Sequence, residues 1–475
     1  MPTLPIPLFT RTYKNVDGSF LTDDAEEQFN GFVNEKEGVG LRPGEVLALN
    51  TGKRNDGLFT WPDKNYIVCV DETEVTLRTV SGTTLVTAFS AAIPFSTANP
   101  IVFANYGSYV FFADGGKIKY INTSGVVAEI TDPDAPTAVT HIAFLDNYIL
   151  AIQGSKLYWA VVNDPTNWSA LNFAGIDANP DLLKGLYVVN RQILLPGTVS
   201  MEVWENDGTT PFSRIPGGIL EYGCSASYSP IQRKNTLTWL THERQIATYT
   251  GTDVEIISGP YDKDIESFTT VSDCIGNLIV KGGKSFLVFT FPTEERTLAY
   301  CPETEDWSDW GRWEDESMRW RPYDIRSSCK DITTGEVFIG KGLAQAIACS
   351  SADSRKDVIA GGSLYPFKFL RRTGPIDHGS SKKKRLESLR FRAKRGGAWS
   401  ETDRNPSLMI RYQDDGESSW TAIDNIDLGR TGETGHHVER KRLGMFRSRR
   451  WEISCTDDVP VCLSNAEVDV TVMNR

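Results

Sequence analysis

A short apolar strand pattern that returns seven times constrains the fold of this chain more than any other feature. The runs are YIVCV from Tyr66, YVFF from Tyr109, YILAI from Tyr148, QILL from Gln192, LTWL from Leu237, FLVFT from Phe286 and VFIG from Val337. Taking those residues as markers, the spacings are 43, 39, 44, 45, 49 and 51. Turn residues precede the runs, and Asp114-Gly115-Gly116, Gly154-Ser155 and Pro196-Gly197 follow three of them. The next segments read KIKYI, KLYWAVV and VSMEVW, which alternate in places as half-buried strands do. Asp-Gly and Gly-Gly between apolar runs allow the positive φ that tight hairpins need. One hairpin pair every ~40–50 residues is the signature of a β-propeller, in which each blade is a small antiparallel sheet. A lone blade cannot bury both faces, so the unit must repeat. The markers favour seven blades, with six as the alternative; an assembly of sandwiches with accidental spacing is the rival arrangement.

The rest of the chain divides around that repeat. Residues 1–50 read as an N-terminal arm, 51–360 as the propeller and 361–475 as a separate antiparallel β-sandwich-like domain. The boundary between about 350 and 380 is turn-rich and charged (SSADSRKD, AGG, HGSSKKKR), and strand patterns then resume in LESLRFRAK, SLMIRYQDD, RRWEISC and VPVCLSNAEVDVTV. The expected class is all-β. The one helix signal is Asp23-Asp24-Ala25-Glu26, resembling a capping box ahead of Glu27-Gln28-Phe29.

Composition excludes several functions. With 40% hydrophobic and 24% charged residues the chain is an ordinary globular one, and no apolar run approaches the ~18 residues of a membrane span. The start shows no basic segment followed by an apolar core, so no secretory signal is expected. A net charge of −12 argues against nonspecific coating of nucleic acid. The balance is uneven: residues 366–450 hold 20 Lys+Arg against 11 Asp+Glu, a net of +9 that leaves −21 for the remainder. The eight cysteines form no C-x-x-C pair and read as free thiols of a reducing cytosol. Five histidines without H-E-x-x-H give no zinc spacing, and no metal or cofactor is expected.

Candidate site residues follow from the uneven charge. Lys382-Lys383-Lys384-Arg385 is the densest cationic run, with Arg390, Arg392, Lys394 and Arg395 close behind. Strand alternation puts Leu389 and Phe391 on one face and Arg390 and Arg392 on the other, a basic stripe suited to phosphates or an acidic partner. The plain alternative is a solvated loop and a polar sheet face. Trp307, Trp310, Trp313 and Trp320 crowd into WSDWGRWEDESMRW. They suit sugar stacking, but blade core plus a subunit contact is the commoner use. The turn Asp414–Trp420 approaches the sialidase Asp-box, with Asp415 in the Asp place, Ser419 in the Thr place and Glu417 where Gly is expected. That motif is a hairpin device in which the Asp caps turn N–H groups. Gly38-Val39-Gly40-Leu41-Arg42-Pro43 is no dinucleotide loop, since Pro takes the third Gly place. No G-x-S-x-G, P-loop or C-x-x-C-H occurs, and nothing marks out a catalytic carboxylate pair.

The C-terminal stretch carries a resemblance. Ser407–Trp420 is followed by Leu428-Gly429-Arg430, Gly432 and Gly435, then by RKRLGMFRSRR (440–450), WEISCTD (451–457) and Pro460-Val461. This resembles the ending of the packaged-DNA stabilisation proteins, the tail hub or nozzle family of short-tailed phages. Phe32-Val33-Asn34-Glu35 followed by Leu41-Arg42-Pro43-Gly44 is similar to that family's opening, with Glu45 departing from its pattern. The resemblance implies a non-enzymatic virion protein of the tail, made in the host bacterial cytoplasm. Similar proteins form a hexameric ring beneath the portal and head-to-tail adaptor, extend the channel for viral double-stranded DNA, keep that DNA from leaking, and carry needle, nozzle or fibre parts below. It also singles out Arg447, Arg449 and Arg450, an arginine-rich strand in which alternation pairs Arg447 with Arg449 and sets Arg450 opposite. These are expected to tie the terminal domain to its neighbours. The acidic remainder is expected to contribute to the bore, and the basic region to dock subunits or adaptors. A propeller-fold glycoside-active enzyme or tail depolymerase is the alternative, supported by the Trp cluster and the Asp-box-like turn, and a cellular interaction scaffold is the third reading.

Overall fold

The computed structural model describes residues 3–5, 27–34, 38–93, 99–176, 179, 181–208, 211–393, 406–429, 438–459 and 461–473. Seven four-stranded antiparallel units follow one another, over residues 55–92, 102–129, 141–175, 187–220, 231–256, 275–309 and 327–351. Every one of the apolar marker runs is the second strand of its unit. That strand has a hydrogen-bonded neighbour on each side and another sheet against each face, so it is buried from its second residue on, as in Tyr66–Asp71 and Lys284–Phe291. Full burial explains the continuous apolar reading, because only strands with one wet face alternate. The turns before these runs use left-handed residues where the sequence offers Asn: Asn65 (φ 53°), Asn147 (φ 64°) and the pair Asn190 (φ 51°) and Arg191 (φ 65°).

A separate apolar core fills each gap between consecutive sheets. Trp61, Val68 and Phe112 fill the first gap, and Phe286, Val288 and Ile339 the sixth. The last core, of Leu58, Ile67, Cys69, Cys329, Phe338 and Ile347, joins the seventh sheet back to the first, so the propeller is a closed ring. Closure uses both ends of the repeat. The fourth strand of the seventh sheet is Gly44–Asn50, paired antiparallel with Ala346–Ser351, although the sequence places those residues in the arm. Gly44 is required there, since a Cβ would lie 2.4 Å from the Ser354 carbonyl oxygen.

The remaining N-terminal strands belong to the terminal domain. Gly31–Asn34, Gly38–Leu41 and Thr3–Pro5 join a seven-stranded sheet whose centre is Leu463–Val472 beside Lys384–Ala393. Facing it are Phe369–Arg372, Arg449–Cys455, Ser407–Asp414 and Asp424–Asp427, and the sandwich between is filled by Leu386, Leu389, Phe391, Ile410, Trp451 and Ile453. Glu27–Phe29 is a strand rather than the start of a helix, while Asp23–Glu26 lie outside the described residues. It pairs in parallel with the sixth sheet (Phe29 with Asp309) and antiparallel with Phe369–Arg372, making one nine-stranded sheet that runs from propeller into sandwich. Strand wins because Gln28 is fully buried, donating to Asp306 (3.1 Å) and accepting from Arg371 (2.7 Å). Among the described residues the one α-helix is Asp262–Ser267.

Candidate functional site

The two cationic groups of the sequence meet at one corner of the sandwich. Lys384 and Arg385 pair with Phe446 and Met445, so the run 382–385 lies beside Arg447–Arg450. Lys382, Lys383 and Arg447 are exposed, and among the described residues the charged group of none of them forms an ion pair. Asp415 sits between them and accepts from the backbone N–H of Arg447 (2.6 Å) and Ser448 (2.9 Å). Burial would raise the Asp415 carboxyl, but those N–H groups and the charges of Arg447 and Lys383 hold it below its ordinary value. Asp415, at φ 49°, therefore caps the link Arg447–Ser448 rather than the N–H groups of its own turn. An apolar rim of Met445 (48% exposed), Val472 and Met473 borders the cations.

The other predicted cations are placed differently. Lys384 is fully buried, donating to the carbonyls of Ser380 and Lys382 (2.9 Å to the latter) with the Phe446 ring 5.7 Å away. Burial lowers its pKa, with Asp377 and Asp415 opposing. Arg449 is also fully buried. It grips Asp414 with two bonds (Nε–Oδ1 2.6 Å, Nη2–Oδ2 2.7 Å) inside a cage of Tyr412 (3.8 Å), Phe446 (4.3 Å) and Trp451 (5.2 Å). Its ion pair is internal, and it does not share a face with Arg447, because the strand begins only at Arg449. Arg450 is half-buried, and its Nε has no hydrogen-bond partner among the described residues.

Leu389 and Phe391 face the core and Arg390 and Arg392 face out, as alternation predicts. The outer face is not a basic stripe, however. Arg385 pairs with Glu387 (2.5 Å), Arg390 with Glu439 (3.1 Å) and Asp469 (2.8 Å), and Arg392 with Glu467 (3.6 Å), the acids coming largely from neighbouring strands. Lys394, Arg395 and residues 430–437 and 460 lie outside the described residues.

The tryptophan cluster divides too. Trp307 and Trp310 are buried in the cores flanking the sixth sheet. Trp313 and Trp320 face each other across the hairpin Gly311–Glu314/Arg319–Pro322 (5.5 Å), and Trp320 stacks on Phe29 at 4.0 Å. Glu45 and Asp357, two neighbouring buried carboxylates, are held by Lys341 (2.5 Å) and Arg42 (2.6 Å). No group of His, Cys, Asp and Glu among the described residues could hold a metal ion, and no helix is long and apolar enough to cross a membrane.

What fills the middle of the propeller had no signal in the residue pattern. The segment leading into the fifth sheet crosses it. The Ser227 carbonyl meets His141 Nε2 of the third sheet (3.0 Å) and accepts from the Tyr187 hydroxyl of the fourth (3.3 Å). Tyr228 stacks on His141 (5.5 Å) and bridges to Ile275 of the sixth sheet. Burial raises the Tyr228 hydroxyl pKa, with Asp114 of the second sheet adding to the rise and Arg326, ahead of the seventh, opposing it. Only the centre of a ring lies beside five of its sheets, so side chains close the axis.

Fold and sites together define a β-propeller with an appended β-sandwich. The family model described as Bacteriophage P22 Gp10, beta-propeller, matches residues 69–337, more than half of the chain. The chain belongs to this family of phage packaged-DNA stabilisation propellers, and it is a phage structural protein. No curated protein matches it. Solved structures similar to it include the N-terminal domain of Nup159 (8% identity, 68% of this chain and 98% of that one, TM-score 0.44). Virginiamycin B lyase from Staphylococcus aureus is similar at 10% identity, over 65% of this chain and 98% of that one, with TM-score 0.43. The Neurospora crassa Pan2 WD40 domain is similar at 10% identity, over 63% and 90%, with TM-score 0.42.

Proposed function

We propose that this protein is a hub or nozzle component of a phage tail, assembled as a ring below the head-to-tail adaptor, where it extends the DNA channel and keeps packaged DNA from leaking. Family membership carries the reading. The closed axis adds a geometric constraint: a duplex whose major groove alone is about 12 Å wide cannot thread the propeller, so its path would run between copies. A ring concentrates whatever charge lines its bore, and an acidic bore lets DNA slide where a cationic one would hold it. On this reading the acidic remainder contributes to the lumen, and the corner of Lys382, Lys383 and Arg447 with its apolar rim docks a neighbouring subunit or the adaptor.

Electron microscopy of the purified protein and of the particle tail tests the ring and its place. Replacing Lys382, Lys383 and Arg447 by Glu tests the docking role. The expected result is a folded chain that no longer assembles or binds the adaptor. Normal assembly combined with DNA leakage would instead make the corner a DNA contact.

A further inference from the structure

The third sheet ends in the longest strand of the propeller, Asp164–Gly175, whose outer edge pairs with no strand among the described residues. Its register against Lys156–Val161 shifts: Ala160 lies opposite Trp168 but Tyr158 opposite Phe173, so residues 169–172 stand out as a bulge. Leu171, in that bulge, is 86% exposed, more than any other large apolar side chain among the described residues. Phe173 and, in the turn before the strand, Val162 are exposed as well. A long edge with apolar side chains standing off it is an association surface.

This edge carries spare negative charge. Residues 130–175 hold four Asp and one Lys. Asp146 is matched by Arg191 of the fourth sheet (2.7 Å), which leaves Asp132, Asp134 and Asp164 against Lys156, an excess of two. The second sheet, with Lys117 and Lys119 against Asp114 and Glu129, does not change that excess. The three carboxylates lie along the strand: Asp164 begins it, Asp132 accepts from the Trp168 N–H (3.0 Å), and the Asp134 N–H donates to Asp132 (2.9 Å).

The cationic corner of the sandwich has the opposite sign and the same apolar content. Lys382, Lys383, Lys384 and Arg447 stand against Asp377 and Asp415, an excess of two positive charges, and Arg385 is matched by Glu387. The Met473 N–H donates to the Lys383 carbonyl (2.9 Å) and Met445 pairs with Arg385, so the apolar rim adjoins the lysines. Two corners repel each other, as do two acidic edges, which disfavours a pair built on one surface. Corner against edge is attractive, and because the surfaces differ, the contact passes from copy to copy and forms a ring where the rotation closes. We propose that the corner of one copy docks on the bulged edge of the third sheet of the next, with Leu171 seated among Met445, Val472 and Met473 and the lysines against Asp132 and Asp134. This rests on the ring reading above and names the surface that the corner meets.

The test follows association of the full-length protein by analytical ultracentrifugation, with a thermal melt of every variant. Lys382→Glu with Lys383→Glu, Asp134→Lys with Asp164→Lys, and Leu171→Ser, all at exposed positions, should each weaken assembly at least about tenfold and leave the melting temperature unchanged. A chain with both pairs reversed should assemble again, and the two singly reversed chains should co-assemble when mixed. That rescue decides even where one reversal costs stability, since a second reversal elsewhere does not restore a lost fold. A wild-type chain that stays monomeric removes the ring reading and this proposal with it. Rings that form normally with the edge reversed, a corner reversal that the reversed edge does not rescue, or assembly indifferent to Leu171→Ser would overturn the docking surface alone. So would a corner reversal that spares the ring and weakens binding of the adaptor or of duplex DNA.

Discussion

Arg42 predicts the largest single-residue effect on this fold. Its side chain is fully buried where the propeller seam, the linking segment and the N-terminal strands meet. The guanidinium donates to Asp357 (2.6 Å), to the Asn30 side-chain oxygen (2.7 Å) and to the Pro43 carbonyl (3.1 Å), and it lies over Phe367 (4.0 Å), Tyr323 (4.6 Å) and Trp310 (5.3 Å). Asn30 also accepts from the Gly311 N–H (3.0 Å) and donates to the Gly311 and Lys368 carbonyls (2.7 and 2.8 Å), so Arg42 supports the residue that joins hairpin, sixth sheet and sandwich. Arg42→Ala would leave the Asp357 carboxylate buried and unpaired, which costs about 3–5 kcal/mol. Lost stacking adds about 0.5–2 kcal/mol for each desolvated ring contact, not additively. Against a typical domain stability of about 5–15 kcal/mol, a loss of at least about 4 kcal/mol opens the seam.

Urea unfolding followed by tryptophan fluorescence, together with limited proteolysis between residues 352 and 368, measures that loss. The double variant Arg42→Met with Asp357→Leu separates the pair from the place it occupies. Because an intact buried ion pair is often close to neutral against apolar replacements, the double variant should recover most of the loss. Arg42→Lys keeps the charge but not the planar fork, and should fall between wild type and Arg42→Ala. A loss below about 1 kcal/mol for Arg42→Ala, or a double variant as unstable as the single one, refutes the reasoning, since either means the carboxylate is not stranded.

Three further outcomes follow from the same physics. Burial pushes His141 down to about 4, so it stays neutral when folded. Between its ordinary value near 6.5 and 4 the unfolded chain binds a proton that the folded one refuses, and about 3 kcal/mol of stability is lost as pH falls through that window. His141→Gln should flatten that part of the urea-midpoint profile. Burial would raise Glu452, but Arg411 (2.6 Å) and Arg372 (2.6 Å) hold it below its ordinary value. Its contribution is present above about pH 4.3 and is lost as pH falls through its folded pKa, so Glu452→Gln should be less stable at neutral pH and lose less in acid. Arg449→Ala should cost about 3–5 kcal/mol in thermal or chemical melts, while Arg447→Ala, two residues away and exposed, should stay within about 0.5 kcal/mol.

The parts of the fold that were legible in the sequence are those whose burial is decided locally. The second strand of each sheet is covered on both faces whatever the register, so its apolar run survives irregular spacing. That spacing stretches where the chain inserts the helix Asp262–Ser267 and the hairpin Gly311–Glu314/Arg319–Pro322. Leu389 and Arg390 could be assigned to faces because alternation is a property of the strand itself. What stayed hidden depends on distant partners. Gly44–Asn50 reads as arm because its strand partner lies some 300 residues on, at Ala346–Ser351. Arg447 and Arg449 look alike in RSRR, and only Asp414, Tyr412 and Phe446 converging on Arg449 separate a core residue from a surface one. The approach of Arg54 to Arg321 and Arg326 was not legible at all, since some 270 residues of chain separate them.

The closed axis makes one last outcome decidable. Tyr228 fills the middle of the ring against His141, with the Tyr187 hydroxyl held on the adjacent Ser227 carbonyl. Tyr228→Ala removes a large half-buried ring and should cost about 1–2 kcal/mol, less than aromatic truncation in a full core. If DNA threaded the propeller itself, clearing this ring would ease its passage and raise leakage from particles carrying the variant. If DNA runs between copies, the same variant lowers the melting temperature of the isolated protein and leaves retention unchanged in every particle that assembles. Particles built with Tyr228→Ala that release DNA faster at a temperature where the protein remains folded would show that the wheel is a conduit, and would remove the reason for placing the path between subunits.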